Sequence, residues 1–382
     1  MRAIIVNFLL SFIWLGSCQD PKAGQTNLQL RLDSLITSEH SANQFGGTIV
    51  IGTNDTILFS KAIGIANRTW QIPMRLDHRF DICSINKSFI SALILIAVEE
   101  GKLSLDDLLV DHLANYEYAG EFDPAITIHQ MMSHISGLPD YDSVEPELLQ
   151  NEGRLFKRKQ FSNAAYVDFI SQLPVKGAPE QQFYYSNFSY HLLAIILEDV
   201  YQMSFPELLE NKIADPLGLH ETFSSVSNTE VFERLTEAYN YKSASDSWER
   251  NQFIDLSLGR RIFSSAHDLY LWGKAMSGTS ILSNESLALM TTNHVKTINP
   301  DISYGYGWAV FDGKKQYRMG DLGIDRRYII HGGSTEGYKS MLINIESGQY
   351  IIAFLANTGD QTNELRLAQK IVNILISSEN DQ

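Results

Sequence analysis

Phe80-Asp81-Ile82-Cys83-Ser84-Ile85-Asn86-Lys87 is the stretch on which the reading of this 382-residue chain turns. It closes a polar segment rich in turn formers and opens the most apolar helical run beyond the N-terminal leader, Phe89 to Val98. A helix that is apolar on every side is buried on every side. Ser84 and Lys87 stand three residues apart at its start, so hydroxyl and amine share one face, about one turn apart. Two readings fit. One is a capping serine with a solvent-facing lysine. The other is a nucleophile whose proton goes to a lysine kept neutral by burial, beside the unpaired N–H groups of a helix start.

Outward from this stretch the pattern changes character twice. Before it, Leu28 to Glu39 has helical periodicity, and Gly46-Gly47 leads into β-rich runs at Thr48–Ile51 and Thr56–Ala66, with Thr53-Asn54-Asp55 as the turn. After it come helical segments at Leu105–Leu113, Ile128–Met132, Asn163–Gln172, Tyr190–Tyr201, Phe205–Ala214 and Ala266–Met276. Thr127, Ser162 and Ser265 occupy N-cap positions. From about residue 301 strands return: Gly305–Phe311, Arg327–His331, Tyr338–Ile345 and Tyr350–Ala356, with Ser347-Gly348 as a hairpin turn. A last amphipathic helix runs from Glu364 to Ile376. The pattern predicts an α+β fold in which one antiparallel sheet, built from both termini and flanked by the first and last helices, carries an inserted, mainly helical lobe. The α/β part takes residues 28–80 and 301–377, and the lobe 81–300.

Two further clusters offer chemistry. Phe183-Tyr184-Tyr185-Ser186-Asn187 precedes a helix. A phenol held near a lysine shuttles protons, and an Asn amide orients that lysine or bonds a substrate carbonyl. Aromatic runs before helices also serve as plain packing. Ile329-Ile330-His331-Gly332-Gly333-Ser334 is an apolar strand ending in His and two glycines, which lets another backbone or a ligand approach closely. It reads equally as a strand-end turn with a surface His.

Composition narrows the function. A net charge of −15 lacks the basic footprint of a nucleic-acid binder, and 44% hydrophobic with 20% charged residues is ordinary for a globular domain. No His/Cys spacing suits a metal. Met1-Arg2, the apolar run Ala3–Leu15 and Leu15-Gly16-Ser17-Cys18 resemble a bacterial lipoprotein leader. Cleavage before Cys18 would make 1–17 a signal peptide, lipidate Cys18, and leave 18–27 as a tether from an envelope membrane to a periplasmic domain spanning 28–377. Cys83, the other cysteine, reads as a small core residue.

Ser-x-x-Lys, Tyr-x-Asn and His-x-Gly, in that order and with these spacings, resemble the serine β-lactamase and penicillin-binding protein superfamily, in its class C β-lactamase, D,D-carboxypeptidase and esterase branch. Met131-Met132-Ser133-His134-Ile135-Ser136-Gly137-Leu138-Pro139, Tyr304-Gly305-Tyr306-Gly307-Trp308 and the residues around His331 are similar to further motifs of that branch. The resemblance implies a β-lactamase/transpeptidase-like fold and a serine hydrolase that cleaves an ester or amide, a D-amino-acid peptide or β-lactam included, through an acyl-enzyme. Ser84 would attack, Lys87 and Tyr185 would manage its proton, and Asn187 would orient. The N–H groups of Ser84 and Ser334 would hold the oxyanion, with no metal or organic cofactor.

Two departures bear on substrate. Where many relatives carry Lys-Thr-Gly on the strand, His331-Gly332 offers a pH-dependent charge and no hydroxyl, which moves weight from β-lactams to esters, amides or D-amino-acid peptides. Arg260 or Arg261 is the candidate replacement anchor for a substrate carboxylate, although both read equally as surface charges. The rival of a different class is a peptidoglycan-sensing protein that binds such peptides without turnover, against which the intact Ser84, Lys87 and Tyr185 speak.

Overall fold

The large sheet follows from six apolar runs. In a computed structural model that describes residues 26–144, 161–225, 231–251, 260–313, 317–335 and 337–379, they pair in the order 309–312, 327–335, 338–345, 350–356, 47–52 and 57–63. The strands are β1 (Gly47–Gly52), β2 (Ile57–Ile63), β10 (Ala309–Asp312), β11 (Arg327–Thr335), β12 (Tyr338–Ile345) and β13 (Tyr350–Ala356). All neighbours are antiparallel, and β1 joins the C-terminal strands through the register Gly47↔Ala356 to Gly52↔Ile351. Both faces of the sheet are covered, so β1 is buried along its whole length. Ile49 and Ile51 face the layer formed by α1 (Asn27–Ser41) and the C-terminal helix Glu364–Glu379, with Leu32, Ile36, Ile371 and Leu375. Val50, Leu342 and Ala353 face the helical lobe. The sheet from both termini thus forms as its alternation predicts.

The lobe centres on α2 (Asn86–Glu99), whose residues 87–97 are all buried. Trp272, on the helix Ala266–Ala275, stacks on Phe89 with ring centroids 4.2 Å apart and donates its indole N–H to Ser88 Oγ at 2.9 Å. Thr127, Ser162 and Ser265 cap their helices through side-chain oxygens. The lobe is less purely helical than its sequence suggests. Short strands β5 (Phe80–Asp81), β6 (Phe223–Ser225) and β9 (Arg261–Ser264) form a second antiparallel sheet that leads directly into Ser84. β3 (Ile65–Asn67) pairs with β4 (Ile72–Pro73), and β7 (Tyr239–Lys242) with β8 (Ser247–Arg250).

Two expected elements shorten. Over 105–113 only Leu109–His112 is helical, because the preceding residues turn about Asp107, whose carboxylate accepts the Ser104 N–H at 2.8 Å. The strand expected from Gly305 begins at Ala309. Gly305 N–H bonds Trp308 O at 2.9 Å, closing a turn in which Gly307 adopts φ +74°. A Cβ on Gly307 would lie 2.7 Å from the backbone of Lys87. The turn therefore packs onto the helix that carries the lysine and delivers Tyr304 to the same region. The leader, Cys18 and nearly all of the tether lie outside the described residues.

Candidate active site

The chain before Ser84 is held in a strained turn. Cys83 has φ +53°, in the left-handed region where a non-glycine residue needs outside support. Support comes from three sides. Asp81 Oδ1 accepts the Cys83 N–H at 2.7 Å, Ser340 Oγ on β12 donates to Ile82 O at 2.7 Å, and Arg261 pairs with Asp81 at 2.9 Å. Burial pushes the Cys83 thiol well above its usual value, so it stays protonated and inert. Ser84 lies in the single 3₁₀ turn Cys83–Ile85, which runs straight into α2 with Lys87 in its first turn.

Lys87 is 3% exposed. Its Nζ stands 3.5 Å from Ser84 Oγ and donates to Asn187 Oδ1 at 2.7 Å. The Tyr185 ring centroid is 4.9 Å from the same nitrogen, and Tyr185 lines the same cavity as Ser84, with which its hydroxyl interacts. Four residues separated by up to 103 positions, Ser84, Lys87, Tyr185 and Asn187, thus meet in one cluster. Desolvation lowers Lys87 to about 8 against the opposing pull of Asp140. Burial raises Tyr185 well above the usual phenol value. Near neutral pH the phenol therefore keeps its proton while a useful fraction of the amine has lost its own, about a tenth at pH 7. That division suits Lys87 to accept a proton and Tyr185 to give one.

Asp140, directly after the Ser-Gly-Leu-Pro run, is the residue that sequence reasoning missed. Its Oδ1 accepts the Asn187 N–H and its Oδ2 accepts Asn187 Nδ2–H, both at 3.0 Å. An amide whose NH₂ is so committed turns its oxygen to Lys87. The signal available was an acid ending a motif that faces a Tyr-x-Asn loop.

β11 supplies the other wall. Its Cβ-less Gly333 fits where a methyl group would lie 2.5 Å from Cys83 Cβ and 2.7 Å from Ser84 N. β10 pairs with β11 only from Arg327 to Ile330, so His331–Thr335 form an edge beyond that pairing. There a cavity of about 530 Å³ opens over Ser84, lined by Tyr185, Tyr304, His331, Gly333 and Ser334 and continuing past Met341 to Glu364 and Leu365.

His331 differs from expectation. Its Nδ1 bonds Gly332 O at 2.7 Å and its Nε2 meets the Tyr304 hydroxyl at 3.1 Å. Burial beside Lys87 pushes it down to about 3, so the imidazole is neutral at any physiological pH and offers no switchable charge. Tyr304, buried and raised well above its usual value, is the donor in that contact. Arg260 is also corrected. Its guanidinium is buried in the lobe and engaged by Glu198 and Asn163, so it does not line the cavity. Arg261 is tied to Asp81 and to Thr335 Oγ1 at 3.0 Å and acts through the turn before Ser84. Among the described residues no cluster of three or more His, Cys, Asp or Glu is arranged to hold a metal.

Residues 32–374 match the family model described as Beta-lactamase. Penicillin-binding protein 4* of Bacillus subtilis (strain 168) is 24% identical over 358 residues, covering 88% of this chain and 73% of that protein. The octameric penicillin-binding protein homologue of Pyrococcus abyssi superimposes with a TM-score of 0.75 at 23% identity, over 91% of this chain and 77% of its own. D-amino acid amidase of Ochrobactrum anthropi SV3, solved with D-phenylalanine, gives 0.74 at 20% identity, over 92% and 100%. A family match across nearly the whole described chain meets a serine, lysine and tyrosine gathered at one cavity, and the chain belongs to the β-lactamase family of serine hydrolases.

Proposed function

We propose that the protein hydrolyses carboxylic esters or amides, D-amino-acid amides included, through an acyl-enzyme on Ser84. The observation that carries this reading is Lys87 Nζ lying between Ser84 Oγ and Asn187 Oδ1 with its cation disfavoured by burial. Ser84 Oγ bonds the substrate carbonyl carbon as its proton passes to neutral Lys87. The amides of Ser84 and Ser334, both at the cavity wall, would receive the oxyanion. The bond to the alkoxide or amine then breaks, and the leaving group takes the Tyr185 proton, which Lys87 replaces. Water repeats the sequence on the acyl-enzyme and restores Ser84. Turnover of p-nitrophenyl esters and D-alanine p-nitroanilide by the wild type, lost in Ser84→Ala, is the expected result. Equal activity in both proteins refutes it.

The cavity favours acyl donors without a terminal carboxylate. Glu364 is the charged side chain among its described lining residues, and His331 is neutral. A β-lactam or a D,D-peptide brings a carboxylate that finds no fixed partner there. Labelling by a fluorescent penicillin should therefore be slow relative to ester acylation. Rapid, stoichiometric labelling of Ser84 would instead favour a penicillin-binding protein.

We also propose that the protein is an envelope lipoprotein, supported by the apolar run 3–15 and the Leu-Gly-Ser-Cys ending at Cys18. Incorporation of labelled palmitate that disappears in Cys18→Ser tests it, and labelling that persists in that variant counts against it.

A further inference from the structure

His134 belongs to the Met131–Pro139 stretch that the sequence singles out, yet it has no part in the proton transfers above. It is fully buried, and its backbone sits at φ +59°. A non-glycine residue holds that conformation at a cost of roughly 1–3 kcal/mol, so the surrounding structure must fix it there.

What it touches is the tyrosine loop. The His134 carbonyl accepts the Tyr184 N–H at 2.8 Å. Its Nδ1 accepts the Ser186 N–H at 3.1 Å. Its ring lies on the Tyr185 ring with centroids 4.2 Å apart. The two hydrogen bonds bracket Tyr185 from the residue before and the residue after, and the ring packs on the phenol between them. A ring nitrogen that accepts an amide N–H carries a lone pair, so the neutral imidazole keeps its proton on Nε2. That Nε2 has no hydrogen-bond partner among the described residues. The side chain therefore works through Nδ1 and its face, as a mount and not as a proton relay.

The mount is needed because residues 182–186 belong to no helix or strand, and no ladder of backbone bonds holds them. Nearby loop contacts continue the same seam. Ser186 Oγ donates to Pro139 O at 2.7 Å, and Ser136 and Ser189 hydroxyls meet at 3.2 Å. These secure the helix start but not the phenol. Of the seam residues, His134 alone joins its two bracketing bonds to a ring contact with Tyr185.

We propose that His134 is a positioning residue for the reaction, holding the Tyr185 phenol beside Ser84 by clamping the backbone on both sides of Tyr185 and packing against its ring. This rests on the Ser84 acyl-enzyme reading. A displacement of about 1 Å in a group that transfers a proton costs on the order of 100-fold in rate.

Two variants divide the contacts. His134→Phe keeps a ring against Tyr185 but loses the acceptor for Ser186. His134→Asn keeps an acceptor near the Nδ1 position but loses the ring. Each is compared with wild type, Tyr185→Phe and the matching double variant for kcat and KM on a p-nitrophenyl ester, with thermal melting to confirm folding. The expected result is a roughly 10- to 100-fold fall in kcat with KM within about twofold, and double variants no slower than Tyr185→Phe alone. A structural role without connection to Tyr185 gives losses that multiply in the double variants, and that result overturns the proposal, as does an unchanged kcat in both single variants. Should His134→Phe fail to fold, the cycle is read with His134→Asn. The Ser84→Ala control keeps the outcomes separate: if it retains full activity, the acyl-enzyme reading falls whatever His134 does.

Discussion

Replacing Asp140 with Asn tests the electrostatics of the site while barely changing its shape. The carboxylate accepts two hydrogen bonds from Asn187, each 3.0 Å long. An amide offers one oxygen and one NH₂ in their place, so one contact becomes donor against donor. Losing a bond of this charge-assisted kind costs about 1.5–3 kcal/mol. If the Asn187 amide turns over to recover it, Lys87 faces an NH₂ where it now has an oxygen at 2.7 Å. By either route the pH-independent kcat/KM should fall about 10- to 150-fold.

The pH profile gives that prediction its sign. With deprotonated Lys87 as the base of the proposed reaction, wild-type kcat/KM should climb as pH rises through about 8 and level off above it. Asp140 is the larger of the contributions that favour the ammonium. Without its charge the Lys87 pKa drops further, and the climb moves to lower pH. The variant should therefore show a lower plateau reached at a more acidic pH. Ester hydrolysis measured from pH 6 to 9.5 reads both features. A climb that stays in place or moves to higher pH would refute the assignment of Asp140 as the counter-charge, and an unchanged plateau would refute its hold on Asn187.

Three further outcomes are expected. In Gly333→Ala the new methyl group meets Cys83 Cβ at 2.5 Å and Ser84 N at 2.7 Å. Pushing β11 away should cost about 1–3 kcal/mol in urea unfolding and most of the activity, and wild-type kinetics would show that the close approach is dispensable. Arg260→Ala takes the cation from half-buried Glu198, which keeps its bonds from Asn163 and the Phe205 N–H, and should destabilise by about 1–3 kcal/mol, with kcat per folded molecule unchanged; a selective loss of activity would restore Arg260 to the site. The His331 ring resonances should not move between pH 5 and 9, because the group is neutral above about 3, and a titration near 6.5 would contradict its burial beside Lys87.

What could be read from the sequence was whatever local geometry determines. Ser84 and Lys87 share a helix face, and Tyr185 and Asn187 share a loop-to-helix junction, so short spacing sufficed to name them. The Gly332-Gly333 pair announced a close approach without saying to what. The rest depends on contacts across long separations. Asp140 meets Asn187 across 47 residues and Arg260 meets Glu198 across 62, and no periodicity reports either pairing. Tyr304-Gly305-Tyr306-Gly307 alternates as a strand does, yet Gly307 is glycine because it rests on Lys87 backbone, which makes the segment a turn. The short strands β5, β6 and β9 are too brief for a period-two signal to accumulate.

The distribution of charge around Lys87 joins the catalytic and the substrate questions. A lysine at position 331, as many relatives have on this strand, would put a second cation against a buried ammonium. Like charges at such range penalise each other, and Lys87 would be driven lower still. The chain instead places a neutral imidazole there, with both ring nitrogens occupied. It keeps Asp140 one residue removed, acting through Asn187. The first choice gives up a partner for a substrate carboxylate. The second keeps Lys87 near 8, where it accepts the serine proton without becoming so weak a base that the transfer stalls. On the proposed reading, the same arrangement that tunes the nucleophile would turn the cavity toward uncharged acyl donors.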